Sequence, residues 1–129
     1  MTGVRMQPDL IAFFDAYRHA FSEGPAATAA FYAEPCVTAR GGVVCVIPSS
    51  AETMALFTEI DRQYRGRGFT HADYALLDSR DLGANSAMAT LRWAYKNAAG
   101  GTIWETTFSY NLYRRHGAWK ILVLTTHDQ

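Results

Sequence analysis

Between Phe69 and the C-terminus the chain offers four long β-rich runs, near 69–80, 84–97, 102–115 and 118–127. Only the turns Leu82-Gly83, Ala99-Gly100-Gly101 and His116-Gly117 separate them. Long neighbours joined by such short turns pair antiparallel, because a parallel pair needs a crossover of a dozen residues or more. Every segment that reads as helix precedes them. Helices first and strands afterwards is an α+β order, not the alternation of a doubly wound parallel sheet.

Three helices are expected. In PDLIAFFDAYRHAFSE (8–23), Leu10, Phe13, Phe14, Tyr17 and Phe21 recur at three- and four-residue steps and so share one stripe. Pro8 suits the first helical position, and Gly24 can end the helix with positive φ. A short second helix runs from Pro25 to about Tyr32. A third starts at Ser49, which has capping-box spacing to Glu52. It carries Met54, Leu56, Phe57, Ile60 and Tyr64 and ends in the RGRG of 65–68. Between them, EPCVTARGGVVCVIPS reads as a hairpin around Gly41-Gly42, with Thr38 opposite Cys45 and Cys36 opposite Ile47. Its two thiols are then diagonal neighbours, and buried reduced cysteines are the expectation. Because three helices must cover a long sheet on one side, the sheet is expected to bend around them.

The 129 residues make one domain, spanning 1–129. Twelve Lys and Arg balance twelve Asp and Glu, so attachment to nucleic acid or to an acidic membrane through charge excess is not expected. No apolar run approaches the roughly 18 residues of a spanning helix, and MTGVRMQPDL lacks the apolar core of a signal peptide. A cytoplasmic protein is the expectation. Without GxGxxG or a P-loop there is no sequence case for a nucleotide, and no cofactor is expected. Ser49, Ser50 and Ser79 lie in no nucleophile-elbow context. His71 and Asp73 share a strand face but fall short of a metal site. His127-Asp128 reads as a solvated tail. His19 and His116 read as surface residues, and Arg62, Arg65 and Arg67 as a cluster complementing a helix C-terminus.

Strand 102–115 presents two different faces. Trp104, Thr106, Phe108, Tyr110 and Leu112 share one, and Glu105, Thr107, Ser109, Asn111 and Tyr113 share the other. Periodicity alone turns the apolar set toward the helices.

The order of elements, with FYAEPCVTAR (31–40) and the closing YNLYRRHGAWKI (110–121), resembles the nuclear transport factor 2-like superfamily. That superfamily includes ketosteroid isomerases and SnoaL-like polyketide cyclases. The resemblance implies a cone-shaped α+β barrel, with three N-terminal helices packed in a strongly curved, mainly antiparallel sheet. It also implies a pocket for a small, partly apolar ligand and a homodimer through the outer sheet face. By similarity to the isomerase branch, Tyr17 takes the place of a hydrogen-bond donor to an oxyanion, and Asn111, counted back from Gly117, takes that of the second donor. The position of the catalytic base falls on Arg40, whose guanidinium stays protonated and cannot abstract a proton. Arg40 offers instead a fixed positive charge suited to a carboxylate or phosphate. Each also has a plainer reading: Tyr17 as core, Asn111 as an exposed strand residue, Arg40 as a solvated residue before a turn.

The same resemblance lines the pocket with Phe14, Ala89, Leu91, Trp93 and Tyr95, and with Leu122, Leu124 and Thr126 of the last strand. Its register turns Glu105, Thr107, Ser109, Asn111 and Tyr113 inward, and Trp104, Phe108 and Tyr110 outward, where a second copy would cover them. The implied function is a pocket protein, with cofactor-free isomerase, cyclase or dehydratase chemistry on a partly apolar carbonyl compound. A base would then come from Glu105, Asp73 or Asp128. The alternative is a non-catalytic ligand-binding or dimeric assembly module.

Overall fold

The computed structural model describes residues 5–127. Along the chain run α1 (Pro8–Glu23), α2 (Pro25–Ala29), β1 (Tyr32–Arg40), β2 (Val43–Ile47), α3 (Ser50–Gly66), β3 (His71–Asp81), β4 (Ser86–Lys96), β5 (Thr102–Arg115) and β6 (Ala118–Thr126). α2 stops at Ala29, short of the expected Tyr32, because Tyr32 already opens β1.

One six-stranded sheet has the order β2-β1-β6-β5-β4-β3. Consecutive strands from β3 to β6 pair antiparallel, as does the β1–β2 hairpin. The one parallel junction is β1 with β6, so the sheet is mixed. Register irregularities interrupt the β1/β6, β3/β4, β4/β5 and β5/β6 ladders. Each extra residue bends its strand, and together they curve the sheet around the helices.

The helices begin and end where local chemistry dictates. Gly24, at φ 139°, donates its N–H to the Ala20 carbonyl at 3.0 Å and closes α1. Ser49 caps α3 by accepting from the Glu52 N–H at 3.3 Å. α1 buries Leu10, Phe14, Tyr17 and Ala20. α3 is rotated from the expected stripe. Thr53 and Phe57 are its buried residues, while Met54 and Leu56 are exposed. Burial of Thr53 is tolerated because its hydroxyl donates to the Ser49 carbonyl at 3.2 Å. Gly41 and Gly42, at φ 57° and 81°, supply the positive dihedrals of a tight hairpin turn. The hairpin pairs Thr38 with Cys45 and Cys36 with Ile47, and both cysteines are free. Cys36 is buried as expected, whereas Cys45 is exposed, because β2 is an edge strand with only one neighbour.

The face of β5 departs from the register that the resemblance implied. Tyr110 and Leu112 are buried, and Phe108 pairs with fully buried Leu91 on β4. Glu105, Thr107, Ser109, Asn111 and Tyr113 occupy the outer face. There the Ser109 hydroxyl lies 2.7 Å from both the Thr90 hydroxyl and His127 Nε2. Area decides the matter, since burying each large apolar side chain gains about 1.5–3 kcal/mol. The aromatic row that would have called for a second copy on the outside is therefore inside the cone.

The last strand needs a second correction. Asn111 pairs with Val123 and Leu112 with Ile121, so Leu122 is the extra residue of a bulge. Leu122 is exposed, and Ile121 takes the buried place beside Leu112. Among the described residues no helix is long and apolar enough to cross a membrane.

Candidate functional site

Between α1, α3 and the concave face of the sheet lies a cavity of about 180 Å³. Tyr17 and Phe21 come from α1, and Leu56, Phe57, Ile60, Gln63 and Tyr64 from α3. The sheet contributes Thr38 and Arg40 of β1, Trp93 and Tyr95 of β4, Phe108 and Tyr110 of β5, and Leu124 and Thr126 of β6. A second, wider groove of about 440 Å³ shares Arg40, Gln63, Tyr64, Phe108 and Thr126 with it. The groove adds Arg67, Trp104, Glu105, Thr106 and His127.

Phenols supply most of the polar chemistry inside. The Tyr17 and Tyr32 hydroxyls lie 2.7 Å apart, so one donates to the other. Tyr110 accepts from the Trp93 indole N–H at 2.9 Å, and its own hydrogen stays available to a further acceptor. Burial drives the pKa of Tyr17, Tyr32, Tyr95 and Tyr110 well above the ordinary phenol value. All four are therefore neutral donors across the physiological range. Burial also raises Tyr64, against the opposing positive charges of Arg40 and Arg67.

Among the described residues no Asp, Glu, His or Cys lines the cavity. Of the carboxylates considered as bases, Asp73 is engaged by Arg18 at 3.1 Å, and Glu105 borders only the outer groove. Asp128 lies outside the described residues. Among the described residues no group of His, Cys, Asp and Glu is arranged to hold a metal ion.

The structure brings Tyr17, Arg40, Trp93, Tyr95 and Leu124 together around the cavity. Phe14 and Leu91 are fully buried in the core and do not line it; the Phe14 ring lies 5.0 Å from that of Tyr110. Asn111, Ser109 and Tyr113 are separated from it by the sheet itself. The donor facing Tyr17 is instead Tyr110, with ring centroids 6.3 Å apart. Tyr110 and Phe108 were legible in the simple alternation of 102–115. Phe21 was legible on the same helical stripe as Tyr17, whereas Thr38 and Gln63 carried no such signal. The arginine cluster at the end of α3 also separates, since Arg62 pairs with Glu59 and Arg65 with Asp61, leaving Arg67 to the groove.

Comparison with known proteins fits this fold. The family described as NTF2-like protein (DUF6841) matches residues 8–129. No curated protein matches the chain. Among solved structures, an NTF-2 like protein of unknown function from Shewanella oneidensis MR-1 has TM-score 0.73 at 18% identity, covering 93% of this chain and 97% of that one. A putative calcium/calmodulin dependent protein kinase II association domain from Xanthomonas campestris has TM-score 0.69 at 16% identity, with coverages of 99% and 95%. Aln2 from a Streptomyces species has TM-score 0.73 at 11% identity, with coverages of 97% and 94%. At these identities the likeness is one of fold.

Proposed function

We propose, from the premise that this chain belongs to the NTF2-like family DUF6841, that it binds a small, partly apolar molecule inside the cone without transforming it by proton abstraction. The observation that carries this reading is the cavity itself: about 180 Å³, walled by aromatic and aliphatic side chains, with neutral phenols as donors. Sites of this kind suit ligands with an apolar body and a few hydrogen-bonding groups. Size narrows the class. A cavity of about 150 Å³ holds benzene, so the ligand body is one ring or a short branched chain, not a four-ring steroid. A carbonyl or hydroxyl oxygen between Tyr17 and Tyr110 would accept from one or both phenols. With no carboxylate or imidazole base among the described lining residues, the non-catalytic branch of the expected functions is favoured over an isomerase.

The test is a titration with 4-fluoroacetophenone followed by fluorine NMR and calorimetry. Saturable binding at one site per chain is expected. Leu124→Trp, which fills the cavity from β6, should abolish it while the circular dichroism spectrum and cooperative melt persist. Tyr17→Phe should weaken it about three- to tenfold, the worth of one neutral hydrogen bond. Undiminished binding in both variants would place the ligand elsewhere and end the proposal.

A further inference from the structure

We infer that the ligand is an amphipathic acid, with its apolar body in the cavity and its carboxylate at the mouth between Arg40 and Arg67. This rests on the reading of the cavity given above and assigns the ligand's charge and orientation. Arg40 is the last residue of β1 and lines both the inner cavity and the outer groove. Arg67, the C-cap residue of α3, lines the same groove. Five other arginines are occupied by carboxylates: Arg18, Arg62, Arg65, Arg80 and Arg114. Arg40 and Arg67 have no ion-pair partner among the described residues.

Arg67 is nonetheless held in place. Its guanidinium carbon sits 3.9 Å from the centroid of the Trp104 ring, and Trp104 stacks in turn on Tyr95 at 4.7 Å. Stacking fixes the plane of the guanidinium and leaves its N–H edge free, which is the pre-organised form that binds carboxylate by two parallel hydrogen bonds. Tyr64 and Arg40 line both cavity and groove, and Arg67 lines the groove with them, so both guanidiniums border the space into which the cavity opens. Among the described residues one carboxylate, Glu105, borders the same groove and opposes an anion there. The two guanidiniums outnumber it among the described groove-lining residues. An apolar interior below a cationic rim is complementary to a molecule that is greasy at one end and anionic at the other.

Paired probes decide the matter: 3-phenylpropanoate and its uncharged amide, 3-phenylpropanamide, titrated by calorimetry at low and high salt. The acid is expected to bind about tenfold more tightly than the amide at roughly 50 mM NaCl, the difference between charge-assisted and neutral hydrogen bonds. That preference should shrink severalfold at roughly 500 mM, because the mouth is solvated and salt screens it. Arg40→Gln and Arg67→Gln, both exposed and off the core, should each cut the preference and together remove it. Equal binding of acid and amide, in wild type and variants alike, overturns the anion clamp while leaving the cavity reading intact. A preference that survives the double substitution overturns it as well. Binding of neither probe, nor of 4-fluoroacetophenone, overturns both.

Discussion

The most direct test of the interior is a pair of substitutions at adjacent residues, Tyr110→Phe and Asn111→Ala. On one reading of β5 the polar row faces the cavity, and on the structure's the aromatic row does. Tyr110 is 1% exposed, and its hydroxyl is the acceptor for the Trp93 indole N–H at 2.9 Å. Deleting only that oxygen leaves a buried indole donor without a partner. An orphaned buried donor costs about 1–3 kcal/mol. For a domain of this length, 1 kcal/mol moves the melting midpoint by about 3–5 °C, so a fall of roughly 3–15 °C is expected. Asn111 is half-buried on the outer face beside Val123 and Met88. Losing its amide should fall within about 0.5 kcal/mol, the ordinary range for surface positions. Chemical denaturation with a shared m-value, followed by far-ultraviolet circular dichroism, measures both. If Asn111→Ala destabilises more than Tyr110→Phe, the polar row is the buried one and the site built on Tyr17 and Tyr110 is wrong.

Further outcomes follow from burial. Tyr17, Tyr32, Tyr95 and Tyr110 have folded-state pKa values raised above the unfolded value near 10, chiefly by desolvation. Their contribution is complete below about pH 10 and is lost as pH rises through the folded values, at about 1.4 kcal/mol per pH unit for each phenol. Denaturant midpoints should therefore be steady from about pH 8 to 10 and drop steeply above; phenolate absorbance rising gradually, without unfolding, would refute this. Tyr74, half-buried and donating to Asp15 at 2.8 Å, should ionise only near its value of about 12. Native protein should react with a thiol reagent at one fast cysteine, exposed Cys45, with Cys36 following only on denaturation; two equally fast thiols would contradict the burial of Cys36. Ser49→Ala should cost about 1 kcal/mol through loss of the α3 cap, and an unchanged midpoint would remove that role.

The parts of the fold legible in the sequence are those that local chemistry fixes. Pro8, Gly24 and Ser49 mark helix ends, and Gly41-Gly42 sets a hairpin register residue by residue. The parallel pairing of β1 with β6 was not legible, because it joins segments far apart in the chain through no local signal. The face of β5 was legible in its own alternation, but counting back from Gly117 by family likeness reversed it. The β6 bulge, beyond Gly117, is a second slip that counting cannot detect. Ile121, Leu122, Val123 and Leu124 are all apolar, so nothing in the residue types marks which one is extra. A one-residue slip sends every following side chain to the other face. Arg40 could be placed because the hairpin anchors it, and Asn111 could not.

That the cone keeps a hollow at all is a consequence of which residues wall it. An empty apolar space of about 180 Å³ can cost up to roughly 4 kcal/mol at about 24 cal/mol per Å³, so flexible walls would collapse into it. These walls are mostly rings braced against one another: Tyr17 edge-on to Phe31 at 5.5 Å, Tyr64 edge-on to Trp104 at 4.7 Å, Tyr95 stacked on Trp104 at 4.7 Å. Hydroxyl and indole contacts then fix Tyr17 and Tyr110 against Tyr32 and Trp93. Rigid rings hold volume open in a way leucines at the same positions would not, since each ring turns as one flat unit and has neighbours on several sides. The same bracing reaches the mouth through Trp104, which supports Arg67. Shape and charge of the site are thus set by one connected aromatic lattice, and loosening Trp104 should disturb both the hollow and its cationic rim.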